Sequence, residues 1–213
     1  MKLTYNICVI DIGSPKLGNI GWCLFDHTHQ APFTGTDLQE LFQLFHKLNL
    51  KGALTLALEA PLFIPVRDDP MKMTKARLGE GSRPWSAGAG AQVLALNLPI
   101  MCRIFQELHH AYPAHQFIMD ADQFAAQEKQ ILISEALVSG KHKGISHVDD
   151  ATIMAKYIQS FSIDNKLPPS ILMAEKETTY LNLAAAALIK NQIYSAQQMI
   201  DAPCPIFRPD DIN

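Results

Sequence analysis

A mixed α/β sheet is what this sequence predicts: the first three strands antiparallel, the later strands parallel, and helices on the flanks. Three observations predict it. The apolar run Ile7-Cys8-Val9-Ile10 ends at Asp11, turns through Gly13, Ser14, Pro15 and Gly18, and returns as Ile20 to Phe25. Such a pair reads as a hairpin with a loop longer than two residues. A helical pattern then separates the hairpin from a second apolar run, Ala53 to Leu58. A helix joining two buried strands makes a right-handed crossover, which lays the second strand parallel to the first. Finally, both runs end in an acid, Asp11 and Glu59. Parallel neighbours bring their carboxyl ends to one edge of the sheet, where open α/β sheets take their ligands.

The chain has 213 residues, 48% hydrophobic and 18% charged, which suits one sizeable core. We therefore expect a single domain over 1–213 with a long insertion loop at about 61–90. A net charge of −3 offers no bulk attraction to nucleic acid, so such a partner needs a local basic patch. Cys8, Cys23, Cys102 and Cys204 are scattered without a Cys-x-x-Cys pair, which points to a reduced, cytoplasmic protein. No apolar run of signal-peptide length precedes Asp11, and the apolar stretch Leu181 to Ile189 is too short to span a bilayer. No membrane association is expected.

In order along the chain, Asp11 comes first. A carboxylate on a central strand is costly unless it is paired or holds a cation. The alternative is that it accepts hydrogen bonds from the backbone of the Gly13–Gly18 loop. His29 to Phe33 predicts a short third strand. Thr36 starts a helix, with Thr36 and Gln39 as a capping box and Leu38, Leu41, Phe42, Phe45 and Leu48 at helical spacing, closed by Gly52. Two acids at one sheet edge, Asp11 and Glu59, repel unless a cation lies between them. From Pro61 to Gly90 no period is sustained. The segment carries Arg67, Lys72, Lys75, Arg77, Arg83 and Trp85 among several glycines. That mixture suits contacts to phosphate and base, Arg67, Lys75, Arg77, Arg83 and Trp85 being the candidate substrate contacts. A solvated flap is the other reading.

Ala91 to Tyr112 predicts a long helix that Pro99 kinks or splits. Gln116 to Met119 reads as a strand, followed by Asp120 and Asp122, which either extend an acidic edge or cap the next helix. Ile131 to Val138 reads as a helix ending at Gly140, before the basic loop Lys141-His142-Lys143-Gly144. A helix begins near Ser146. At about 100° per residue, His147, Asp150, Ala151, Met154, Ala155 and Ile158 share one stripe, while Asp149, Thr152 and Lys156 face the other way. Asp150 then points inward beside His147, either to serve the helix N-terminus or to bind a metal. The tail offers a strand at Ile171 to Ala174, a helix from about Thr179 to Asn191, and an extended, proline-rich stretch from Asp201 to Pro209.

Hairpin, third strand, crossover helix, parallel strand with Glu, then a late helix opening on His-x-x-Asp resembles the RNase H-like fold, in its RuvC-like branch. The resemblance covers about Tyr5 to Tyr157. It rests on Val9-Ile10-Asp11-Ile12-Gly13, Leu58-Glu59-Ala60-Pro61 and His147-Val148-Asp149-Asp150-Ala151. The chain is also similar to an uncharacterised family of predicted nucleases of this fold, in which Glu-Ala-Pro-Leu precedes an Arg-containing loop, as Glu59-Ala60-Pro61-Leu62 precedes Arg67 here. The resemblance implies a nuclease that hydrolyses phosphodiester bonds with two divalent ions, Mg²⁺ or Mn²⁺, held by Asp11, Glu59, Asp150 and His147. It further implies a nucleic-acid partner and is compatible with a homodimer. The net charge of −3 departs from resolvases that grip four-way junctions. Two other readings remain. Asp11-Ile12-Gly13-Ser14 also resembles the first phosphate loop of ATP-binding actin and sugar-kinase-like proteins, although 213 residues leave no room for their second domain. A non-catalytic binding protein with a vestigial acidic site is the third.

Overall fold

The computed structural model describes residues 5–29, 31–48, 50–81, 84–175 and 178–209. Strands β1 (Asn6–Asp11), β2 (Gly21–Phe25) and β3 (Phe33–Gly35) form an antiparallel meander, and helix α1 (Leu38–Lys47) leads to β4 (Leu54–Glu59). Strand β5 (Phe63–Val66) precedes helix α2 (Gly88–Ala111), strands β6 (Gln116–Ile118) and β7 (Gln130–Ala136), and helix α3 (His147–Ser162). The chain finishes with β8 (Thr179–Asn182), helix α4 (Leu183–Lys190) and β9 (Ile206–Phe207). The main sheet runs β3-β2-β1-β4-β7-β6, and β9 pairs with the end of β7. β4, β7, β6 and β9 continue it in parallel, so the mixed α/β sheet has the predicted sense throughout.

The period of two along each strand divides the core. Cys8, Ile10, Leu56, Leu58, Ile131 and Ile133 face the layer of α1, α2 and α4. Ile7, Val9, Ala57 and Leu132 meet Ala151, Met154, Ala155 and Ile158 of α3. Carried one step further, the alternation puts Asp11 and Glu59, which are register partners, on the α3 side.

Several elements depart from expectation. Ile131 to Val138 is strand β7, not a helix. Parallel strands covered on both faces read as continuous apolar runs, which periodicity alone does not distinguish from a buried helix. Ile171 to Ala174 forms no strand; Ile171 donates a single backbone bond to Ile206, at 2.9 Å. The predicted 61–90 loop contains β5, which pairs with β8 in a separate two-stranded sheet. The late helix starts at Leu183 because Asn182 caps it, accepting from the Ala185 N–H at 2.9 Å. β3 begins at Phe33, where the expected third strand ended. Asp37, not Thr36, caps α1, and Asp120 caps a short turn instead of joining an acidic edge. Pro99 sits inside one unbroken α2. Among the described residues, α2 alone is long and apolar enough to cross a bilayer. Its second half is a core element, with Met101, Ile104, Phe105 and Leu108 fully buried.

Candidate metal centre

Two central strands and one helix N-terminus build the site. Asp11 ends β1, Glu59 ends β4 beside it, and Asp150 lies in the first turn of α3. One ligand oxygen from each lies within 4.8 Å of the others, and no other such group of acid, His or Cys ligands occurs among the described residues. Asp11 and Asp150 are buried, at 4% and 3% exposure.

What brings α3 to the strand ends is partly a glycine. Gly21 pairs with Asp11 across the hairpin, and a Cβ there would lie 2.2 Å from the His147 carbonyl carbon. With no side chain at Gly21, the helix start settles on the strand, and His147 Nδ1 reaches Asp11 Oδ2 at 2.6 Å. Ser146 and Asp149 close the reciprocal capping box that fixes where the helix begins. That register places Asp150 inward and Asp149 in water, as the helical phase predicts.

Burial and the neighbouring charges set the electrostatics of the cluster. Burial, with Asp150 as a secondary cause, raises the Asp11 carboxyl above its usual range, against the opposing pull of His147 and Lys143. Burial, then Asp11 and Asp150, push Glu59 up to about 9. Glu59 Oε2 is buried with no hydrogen-bond partner. Buried polar atoms are rarely left so, and an orphan acceptor among two further carboxylates fits a hard divalent cation.

A stability signature follows. Glu59 titrates near 4.5 when unfolded and about 9 when folded, so between those values the native state holds a proton that the unfolded chain has lost. In metal-free buffer, stability should be greatest below about pH 4.5 for this group and decline as pH rises toward 9. Denaturant melts at several pH values should show this slope, and Glu59→Gln should flatten it.

The other expected site residues divide. His147 joins the cluster through Asp11, its Nδ1 already bonded to that carboxylate, instead of standing as an independent ligand. Arg67 and Arg77, two of the expected substrate contacts, are paired within the protein. Arg67 makes a two-pronged pair with Glu175, both contacts at 2.8 Å, and donates to the carbonyls of Lys72, Lys75 and Ala76. Arg77 is buried between Glu135, at 2.6 and 2.8 Å, and Glu80, at 2.9 Å. Both arginines tie the insertion to the body. Lys75 is exposed, and its carbonyl accepts from Trp85 Nε1 at 3.3 Å. Arg83 lies outside the described residues. Trp85 and the start of α2 border a cleft of about 460 Å³ that also holds Asp11, Glu59 and His147.

Sequence reasoning missed Glu135 and Lys143. Glu135 is a third strand-end acid, hidden by the helical reading of β7. Its register partner is Leu58, so it points away from Glu59 and instead accepts the Leu62 N–H at 2.7 Å. Lys143 lines the same cleft, its Nζ 3.5 Å from Asp150 Oδ2.

The two adjacent acids should behave oppositely. Asp150→Asn should abolish the rise in melting temperature on adding Mn²⁺. Asp149→Asn should keep that rise and lose about 1 kcal/mol of stability through its cap. Thermal melts of both variants with and without Mn²⁺ check this. No protein-family model, curated protein or solved structure matches this chain.

Proposed function

We propose that the protein is a divalent-metal-dependent nuclease with an RNase H-like layout. The observation that carries this reading is the convergence of Asp11, Glu59 and Asp150, from β1, β4 and α3, with their ligand oxygens within 4.8 Å and Glu59 Oε2 unpartnered. Carboxylate oxygens suit Mg²⁺ or Mn²⁺, which keep waters and take few protein ligands. When bound, such ions lower the pKa of a coordinated water and stabilise the charge that develops on a phosphodiester in hydrolysis.

The chain's own groups divide the remaining work. Asp11, Glu59 and Asp150 would hold the ions, with His147 joined to them through Asp11. His147 Nδ1 fixes the Asp11 carboxylate in orientation. The cleft offers Trp85 as a stacking face and Lys143 as a positive charge beside the carboxylates. Nucleic acid is therefore the proposed partner, and the four free cysteines suit a cytoplasmic setting.

Incubation with single- and double-stranded DNA and RNA oligonucleotides and Mn²⁺ tests the reading. Cleavage that EDTA abolishes is expected. No cleavage of any substrate, with Mg-ATP binding but no response to Mg²⁺ alone, would favour a kinase-like phosphate loop instead.

A further inference from the structure

We propose that Lys143 is the internal cation of the carboxylate cluster before metal binds, and that its ammonium then contacts the substrate phosphate. This rests on the metal-dependent reading above. Two consecutive residues of one loop hold both oxygens of Asp150. The Gly144 N–H donates to Oδ1 at 2.6 Å, and Lys143 Nζ lies 3.5 Å from Oδ2. The backbone at this point is pinned: a Cβ on Gly144 would stand 2.3 Å from Asp149 Cβ, a closeness that only glycine permits. The lysine side chain is not pinned, being 51% exposed. Its separation from Asp150 exceeds the roughly 2.7–2.9 Å of a tight charge-assisted bond, so the pair is a loose Coulombic one. Its charge also opposes the rise of the Asp11 and Glu59 carboxyls.

The other cations of the cleft are committed. Of the Lys, Arg and His side chains that line it among the described residues, Arg77 is locked between Glu80 and Glu135, and His147 gives Nδ1 to Asp11. Lys143 alone combines a long flexible stem with a replaceable partner. With Asp150 holding a metal, the Lys143 ammonium would lose this partner, and a phosphate in the cleft would be a new anion within its reach. A compact ammonium on a mobile stem serves that purpose as a point charge.

The attraction between Lys143 and the cluster is stronger before metal binds than after, because the ion cancels much of the negative charge. Lys143→Met should therefore bind Mn²⁺ tighter, by about threefold or more. The same variant should bind a short fluorescent oligothymidine in Ca²⁺ more weakly, and lose on the order of a hundredfold in Mn²⁺-dependent kcat/KM. Lys143→Arg should restore most of the oligonucleotide binding. Lys129→Met, a charge loss at the opposite end of β7, should do neither. Unchanged Mn²⁺ affinity, or oligothymidine binding no weaker than the parent's, overturns the assignment of Lys143. A parent that binds no Mn²⁺ at all overturns the underlying metal reading instead, so the two failures are told apart.

Discussion

Asp11→Asn should reduce Mn²⁺-dependent cleavage by on the order of a thousandfold while leaving the fold intact or slightly more stable. The substitution keeps the shape and one acceptor oxygen for His147 but removes the charge at the shared corner of the cluster. In metal-free buffer the parent holds three acids together, the Asp11 carboxyl pushed upward by burial and Asp150, and that of Glu59 by burial, Asp11 and Asp150. Neutralising one relieves that repulsion. Gain or parity in stability together with loss of activity is a combination that an ordinary structural carboxylate does not produce. Chemical denaturation in EDTA and a cleavage assay in Mn²⁺ read the two halves. A variant that melts several degrees below the parent without metal would make Asp11 a structural acceptor.

The second large effect lies beside the site. Arg77→Met should cost about 3–5 kcal/mol, because it strands Glu135 and Glu80 in the interior. Glu135 is 3% exposed and Glu80 is 6% exposed, and the guanidinium is the cation that both carboxylates share. The Arg77 ring contact, 4.4 Å over Phe63, is lost as well, although a methionine replaces part of it. Adding Glu135→Gln to Arg77→Met should recover a good part of the loss, since the stranded charge goes with the acid. Urea melts of the single and double variants measure this. Equal stability of parent and Arg77→Met would mean that the buried network contributes nothing.

What could be read in the sequence was local. The β1–β2 hairpin, the crossover through α1 to β4, and the start of α3 each carry their signal within a few residues: an apolar run with a turn, a helical pattern between two apolar runs, a stripe at helical spacing. These same signals located Asp11, Glu59 and Asp150, because a strand-end acid and an inward acid in a first turn are visible in one dimension. What could not be read depends on distant partners. β5 and β8 are short and find their pattern only in each other. β7 is apolar on both faces and mimics a helix, which hid Glu135. Arg77 looked like a surface cation because its partner Glu135 is 58 positions away, and His147 meets Asp11 across 136 positions. The insertion's positive charge was legible, but the pairing of Arg67 with Glu175 and of Arg77 with Glu135 was not.

Calorimetric titration of Mn²⁺ into the metal-free protein at about pH 8 tests the central claim, that the three carboxylates form a cation site. Saturable binding to the parent is expected, lost or greatly weakened in Asp11→Asn, Glu59→Gln and Asp150→Asn, and retained in Asp149→Asn. Absence of binding to the parent, or binding that survives all three changes, would contradict it.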